Sequence, residues 1–406
     1  MSKFFYFLII ISFTGIIVSC NQSKSKYQMG SYGYDKAFLE KHAVDFIELK
    51  SDDDMARLMI VPAYQGRVMT STAGGDDGMS FGWINYKFIE SDEISPQFNV
   101  YGGEERFWIG PEGGPFSIYF QPDTEQEYAN WKVPPVIDTE GYKIESVDDK
   151  SARFSKQAEL VNASGTVFSL AIDRTVTLLS KAAIQEAFNI SIPENVRVVA
   201  YQTDNAITNT GETAWTKEGG LLSIWLLSMF NPSPETTVFI PYVKEAEGVI
   251  VNDEYFGKVP ADRLIVDSNA IFFKIDGKYR SKIGIPPQRA KELCGSYDSG
   301  SGVLTLLWCS LPDEPKLYVN SQWGDQADPY LGDVINSYND GPVEDGSVMG
   351  PFYEIETSSP AADLPPSGTM RHLQKIIHMQ GNEDDLAGLV SELFGFDLKV
   401  ITGKFN

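Results

Sequence analysis

Histidine, cysteine and positive charge are all scarce in this chain of 406 residues, and each shortage narrows what it can be. There are three histidines and three cysteines, and none fall at the spacing that zinc requires. No metal centre and no cofactor are therefore expected. Lysine and arginine total 33 against 56 aspartates and glutamates, a formal net charge of -23. Phosphate backbones would be repelled, so nucleic acid is excluded as a partner. A polyanionic polysaccharide would be repelled as well, and a neutral ligand fits better. Beyond Cys20 only Cys294 and Cys309 remain, an isolated pair rather than a disulfide framework. From about Tyr34 onward there is no long Pro/Ser linker, no low-complexity tract and no convincing repeat. Nor is any later stretch apolar enough to span a bilayer.

What the chain does have begins at its start. Lys3 precedes an apolar run from Phe4 to Val18, the length of a signal-peptide core and too short to cross a bilayer comfortably. The run ends in Ile17-Val18-Ser19-Cys20, which resembles the bacterial lipobox. Small residues admit a signal peptidase and the thiol takes a lipid. Residues 1–19 are thus expected to be a lipoprotein signal peptide and 20–33 a tether lipidated at Cys20. Residues 34–406 would form one domain. Several acyl chains would hold such a protein stably to a membrane. The tether, Asn21-Gln22-Ser23-Lys24-Ser25-Lys26, lacks an acidic run. The expected location is the cell envelope, lipid-anchored at the outer membrane and facing the periplasm.

The rest alternates short apolar runs with Gly, Pro, Asn and Asp. Phe116-Ser117-Ile118-Tyr119-Phe120, Ala270 to Ile275 and Val303 to Trp308 are rich in β-branched and aromatic residues and bounded by turn signals. Asn209-Thr210-Gly211 and Asp276-Gly277 look like hairpin turns. Many strands with few helical periods between them predict a mostly β fold, a large antiparallel β-sandwich. A short helix is expected near Tyr34 to His42. Another is expected at the C-terminus, capped by Asn382, carrying Leu386, Leu389, Val390 and Leu393 at helical spacing, and ended by Gly395.

Three segments could carry a site. Tyr101 to Gly114 places Glu104, Glu105, Arg106, Trp108 and Glu112 between glycine pairs. Sugars are bound by such mixtures: flat aromatic faces cover C–H surfaces and charged groups bond hydroxyls. The same residues also suit an ordinary strand pair with Trp108 in the core and Arg106 ion-paired. In Tyr353 to Pro360, Glu354 and Glu356 would share one strand face, either solvated or lining a cleft. After the Pro-rich turn Leu364 to Gly368, residues 371–378 would pair antiparallel with that strand, His372 and His378 on one face and Arg371 and Lys375 on the other. The loop just before the Glu354 strand contains Asp325, Asp328, Asn336, Tyr338 and Asp340, and loops of this kind often line binding sites. Its aspartates match no EF-hand spacing, which leaves calcium the weaker reading. Trp225, in the apolar strand Ser223 to Phe230, reads most simply as core.

Together these segments resemble the galactose mutarotase-like superfamily, which includes the aldose 1-epimerases. Gly66-Arg67-Val68 resembles its opening motif, Gly102 to Glu112 its Gly-Gly, Arg, Trp and Pro-Glu segment, and Tyr353 to Pro360 the strand of its catalytic glutamate. The resemblance implies a supersandwich with a concave sugar-binding sheet. It further implies a glutamate base at Glu356, or else Glu354, and a histidine acid. The family histidine would fall near Ser223 to Phe230, where there is none, so His372 or His378 would have to take its place. Arg67, Glu105, Arg106, Trp108, Glu112, Asn336, Tyr338 and Asp340 are the expected substrate-binding residues. The implied partner is a neutral mono- or oligosaccharide, acted on by general acid–base chemistry or only bound.

Overall fold

The computed structural model describes residues 26–405 apart from Pro315 and Glu344. The expected signal peptide, Cys20 and the first part of the expected tether lie outside the described residues. In chain order come α1 (Tyr32–Lys41), β1 (Ile47–Lys50), β2 (Arg57–Val61), β3 (Arg67–Thr72), α2 (Tyr86–Ser91) and β4 (Arg106–Gly110). Next are β5 (Lys143–Val147), β6 (Ser151–Val161), β7 (Val167–Leu179), α3 (Lys181–Phe188), β8 (Arg197–Asn209), β9 (Ser223–Phe230) and β10 (Thr236–Ile240). β11 (Leu264–Val266), β12 (Ile271–Lys274), β13 (Ser281–Ile285), β14 (Leu293–Asp298) and β15 (Val303–Cys309) follow. The last are β16 (Ile335–Asn339), β17 (Tyr353–Ser358), β18 (Thr369–Gln380), α4 (Glu383–Phe394) and α5 (Leu398–Thr402).

The strands form three antiparallel sheets, so the fold is the mostly β, antiparallel one expected. The largest has ten strands in the order β11-β12-β10-β14-β15-β18-β8-β7-β6-β5. A five-stranded sheet runs β13-β16-β17-β9-β4, and β1-β2-β3 make the third. β7 shows why the large sheet packs one face inward. Phe168, Leu170, Ile172, Arg174, Val176 and Leu178 are buried and the residues between them are half-buried or exposed, the period-two pattern of a one-sided strand. β9, flanked by β17 and β4 in the five-stranded sheet, is buried at every position.

The main core lies between the two larger sheets. Phe107, Ile109, Ile224, Leu226, Ile283 and Ile355 of the small sheet join Ile172, Val176, Tyr201, Leu307 and Ile376 of the large one in a single cluster. Each such side chain contributes about 1.5–3 kcal/mol on burial. Helices cover part of the large sheet's outer face. Leu386, Leu389, Val390, Leu398 and Ile401 pack with Phe239, Phe272, Leu304, Leu306, Ile377 and Met379.

Several expected pairings do not form. β18 pairs with β8 and β15, not with β17. The Pro-rich turn before β18 thus carries the chain from one sheet to the other. Asn209-Thr210-Gly211 is a turn, its side-chain carbonyl accepting from the Gly211 N–H at 3.0 Å. Yet β8 and β9 belong to different sheets, and so do β12 and β13 on either side of Gly277. In each case the local turn chemistry is as expected and a packed pair of sheets replaces the hairpin. Cys294 and Cys309 are free, buried thiols. Burial pushes the Cys294 thiol up to about 12.

Candidate functional site

Cross-strand register fixes which side chains of the small sheet share a face. Arg106 lies opposite Leu227 and Trp108 opposite Trp225. Glu354 and Glu356 lie opposite Met229 and Leu227 on one side, and opposite Tyr338 and Asn336 on the other. Lys282 lies opposite Tyr338. All therefore project from the face turned away from the large sheet. The intervening residues point inward: Thr357 bonds Gln374 at 2.7 Å, and Ser228 accepts from Gln374 at 3.2 Å.

On the outward face Arg106 donates to Glu354 at 2.6 Å. Lys282 donates to Glu356 at 2.8 Å, and the Trp225 indole N–H donates to the same oxygen at 2.9 Å. Indoles flank both cations. The Arg106 guanidinium lies 4.7 Å from the Trp108 ring centre, and the Lys282 ammonium 5.1 Å from that of Trp225. Glu112 follows β4 and its carboxyl senses both Lys282 and Glu356.

Three carboxyls thus share this face with two cations, Glu112 and Lys282 half-buried and the other three away from bulk water. Arg106 is 4% exposed, Glu354 6% and Glu356 1%. One carboxyl must then hold a proton cheaply, since unpaired buried charge is expensive. Burial raises Glu354 well above the usual carboxylate range and the nearby Glu356 adds to this, with Arg106 opposing. Burial also pushes Glu112 up to about 7, although Lys282 favours its ionised form. Burial works against the Lys282 charge, but Glu356 and the other two glutamates outweigh it and its pKa is raised.

Asp333 holds the far edge of the face. It accepts from Asn252 at 2.7 Å and from Tyr255, whose hydroxyl in turn accepts from Asn336 at 3.1 Å. A side chain at Gly284 would come within 2.0 Å of the Asp333 carboxylate, so only glycine admits this arrangement. Burial raises Asp333 to about 6.

A family model described as a family of unknown function (DUF6786) matches residues 30–405. The chain belongs to the DUF6786 family. No curated protein matches this DUF6786 member. Among solved structures, the Slr1438 protein from Synechocystis sp. PCC 6803 is 13% identical with a TM-score of 0.50, the match covering 83% of this chain and 96% of that one. A putative aldose 1-epimerase from Escherichia coli K12 is 12% identical, covering 82% and 98%, TM-score 0.48. A galactose mutarotase-like protein from Lactobacillus casei is 9% identical, covering 82% and 100%, TM-score 0.44. These likenesses are of fold, and galactose mutarotase-like structures are among the neighbours, as the motifs implied.

Of the residues singled out by sequence, the DUF6786 fold brings Arg106, Trp108, Glu112, Asn336, Tyr338, Glu354 and Glu356 to one face. Tyr338 is engaged with Asp340, donating at 2.8 Å, and Asp340 also accepts from the Gly350 N–H at 2.9 Å. Others belong elsewhere. His372 is fully buried between the sheets, bonded to Thr357 at 2.8 Å, and burial lowers its pKa to about 3. It lies behind β17, on the side opposite Glu356, and cannot serve as its acid. His378 is likewise internal, bonded to Glu104 at 3.0 Å and Thr305 at 2.8 Å. Glu105 points inward beside Arg106 and pairs with Arg174 at 2.8 Å, both fully buried. Arg67 is 1% exposed and donates to the Gly102 carbonyl at 2.7 Å and to Gln65 at 3.1 Å. Glu105 and Arg67 are therefore structural. Among the described residues no group of three His, Cys, Asp or Glu is arranged to hold a metal.

Sequence reasoning missed Lys282, for which a lone lysine between Ser281 and Ile283 in a short apolar strand was the available signal. Trp225 is 6% exposed and part of the main core, as expected, and its indole N–H also reaches Glu356.

Proposed function

We propose that this protein binds a neutral sugar and moves protons on it by general acid–base chemistry, with Glu356 as base and Glu354 as acid. One observation carries the reading. Two carboxyls occupy alternate positions of β17, Glu354 ion-paired to Arg106 and Glu356 to Lys282, and burial raises Glu354 above the usual carboxylate range so that it takes up a proton more readily than an exposed carboxylate. Environments that push paired carboxyls apart are how acid and base roles are divided at neutral pH. The indoles of Trp108 and Trp225 are buried beside the two cations and hold them in place against the carboxyls. All three histidines are elsewhere, so a second carboxyl replaces the expected histidine acid. The solved neighbours described as aldose 1-epimerase and galactose mutarotase-like agree with this substrate class.

The second reading is a non-catalytic sugar-binding or structural envelope lipoprotein. It draws on the same geometry, since Lys282 and Trp225 both occupy one Glu356 oxygen. The two separate cleanly. Glu356→Gln should abolish anomer interconversion, followed by polarimetry or NMR, and leave calorimetric sugar binding in place. Wild-type protein that binds sugar but leaves every anomer equilibration rate unchanged sinks the enzymatic reading. As part of this proposal the protein works in the cell envelope, held by a lipid on Cys20, on the strength of the apolar run before it.

A further inference from the structure

An aromatic run leads from the glutamate pair to the surface. Trp108 meets Trp225 edge-on at 5.6 Å and Tyr119 at 5.7 Å. Tyr119 stacks on Trp131 at 6.1 Å with the rings 7° apart. Trp131 in turn stacks with Trp323 at 6.1 Å and with Tyr128 at 6.0 Å. These last two are open to solvent, Trp323 37% exposed and Tyr128 65%.

Beside this platform lies a hollow of about 470 Å³. That volume falls within the roughly 300–1,000 Å³ of small-molecule pockets. Thr124, Glu125 and Gln126 wall one side, and Gly324, Asp325 and Gln326 the other. Gln126 fixes its shape: its side-chain carbonyl accepts from the Gly114 N–H at 2.9 Å and the Gly324 N–H at 2.8 Å. The Gln326 side-chain carbonyl oxygen is buried with no partner. Among the described residues lining the hollow none is basic and two are acidic. Such a wall repels anions and offers amide, hydroxyl and carboxylate groups to a ligand rich in neutral hydroxyls. Exposed flat rings next to it suit the C–H faces of pyranose rings.

We propose that this hollow, with Trp323 and Tyr128, is an extended subsite, so that the ligand is a neutral oligosaccharide and not a free monosaccharide. The inference rests on the sugar reading of the Glu354–Glu356 face and adds chain length to it. The test is calorimetric titration of neutral gluco-, galacto-, manno- and xylo-oligosaccharide ladders of one to about six units. Affinity should rise at least about tenfold from the monosaccharide to the tetrasaccharide of the preferred series. Tyr128→Ala and Trp323→Ala should flatten that gain while leaving monosaccharide affinity unchanged, and Trp323→Phe should restore part of it. Tyr128 is mostly exposed, so its variant tests the platform without disturbing the interior. A monosaccharide that binds as tightly as any oligomer overturns the subsite and leaves the sugar reading standing. Variants that keep the full length dependence also overturn it. If no sugar of any length binds, the sugar reading itself fails and the subsite with it.

Discussion

Asp35 is 1% exposed and accepts hydrogen bonds from Ser80 and Tyr86. Burial raises its pKa from 3.8 to about 6, the two hydroxyls opposing. Because the folded value lies above the unfolded one, its contribution to stability is complete below about pH 4 and is lost as pH rises through about 6. The shift corresponds to about 3 kcal/mol. Asp35→Asn should therefore lose less stability than wild type between pH 4 and 7 in urea unfolding. Parallel pH profiles for the two proteins would refute the assignment. At this scale the site was partly legible. Arg106, Trp108 and Glu356 were readable because charge and indole between glycines, or paired carboxylates on one strand, are unusual locally. Glu105 was misplaced because only the register of its strand decides which neighbour faces inward. Lys282 went unnoticed because its partner lies 74 residues away in sequence.

Elements whose signals are local were the most readable. The Asn382 side chain accepts from the Asp385 N–H at 3.0 Å, and Gly395 closes α4 at a φ of 73°. Glu383, Asp384 and Asp385 occupy the first turn, where the helix dipole favours them. Asn382→Ala should cost about 1 kcal/mol in chemical denaturation. An unchanged midpoint would mean that the bonds between Asn195, Asn382 and Asp385 do not hold the helix start. The hairpins expected at Asn209 and after Pro365 failed for the converse reason. Turn residues announce that the chain reverses, but partner choice is set by which sheet has an apolar face to cover. β18 binds β8 along twelve residue pairs, a pairing no short-range pattern reveals.

At the scale of the molecule, composition excluded more than it identified. The antiparallel sandwich was legible from many short strands, while the division into ten and five strands was not, since only packing decides it. The net charge of -23 and the apolar start were read as an exported protein with a neutral ligand. The anchoring proposal has a direct check: Cys20→Ala should move the protein from the membrane to the soluble envelope fraction and abolish labelling by a fatty-acid analogue. Retention of label in the variant would place the lipid elsewhere or remove it from the account.

The small sheet draws its five strands from stretches that begin at Arg106 and end at Ser358, with Ser223, Ser281 and Ile335 opening the others. A chain still being synthesised possesses no working face until almost nine-tenths of it has emerged, and no nicked half of the protein carries a complete one. Closing so many distant pairings is slow compared with local folding. Until β17 is made, β9 and β16 each lack the neighbour that joins the β4–β9 and β13–β16 pairs into one sheet.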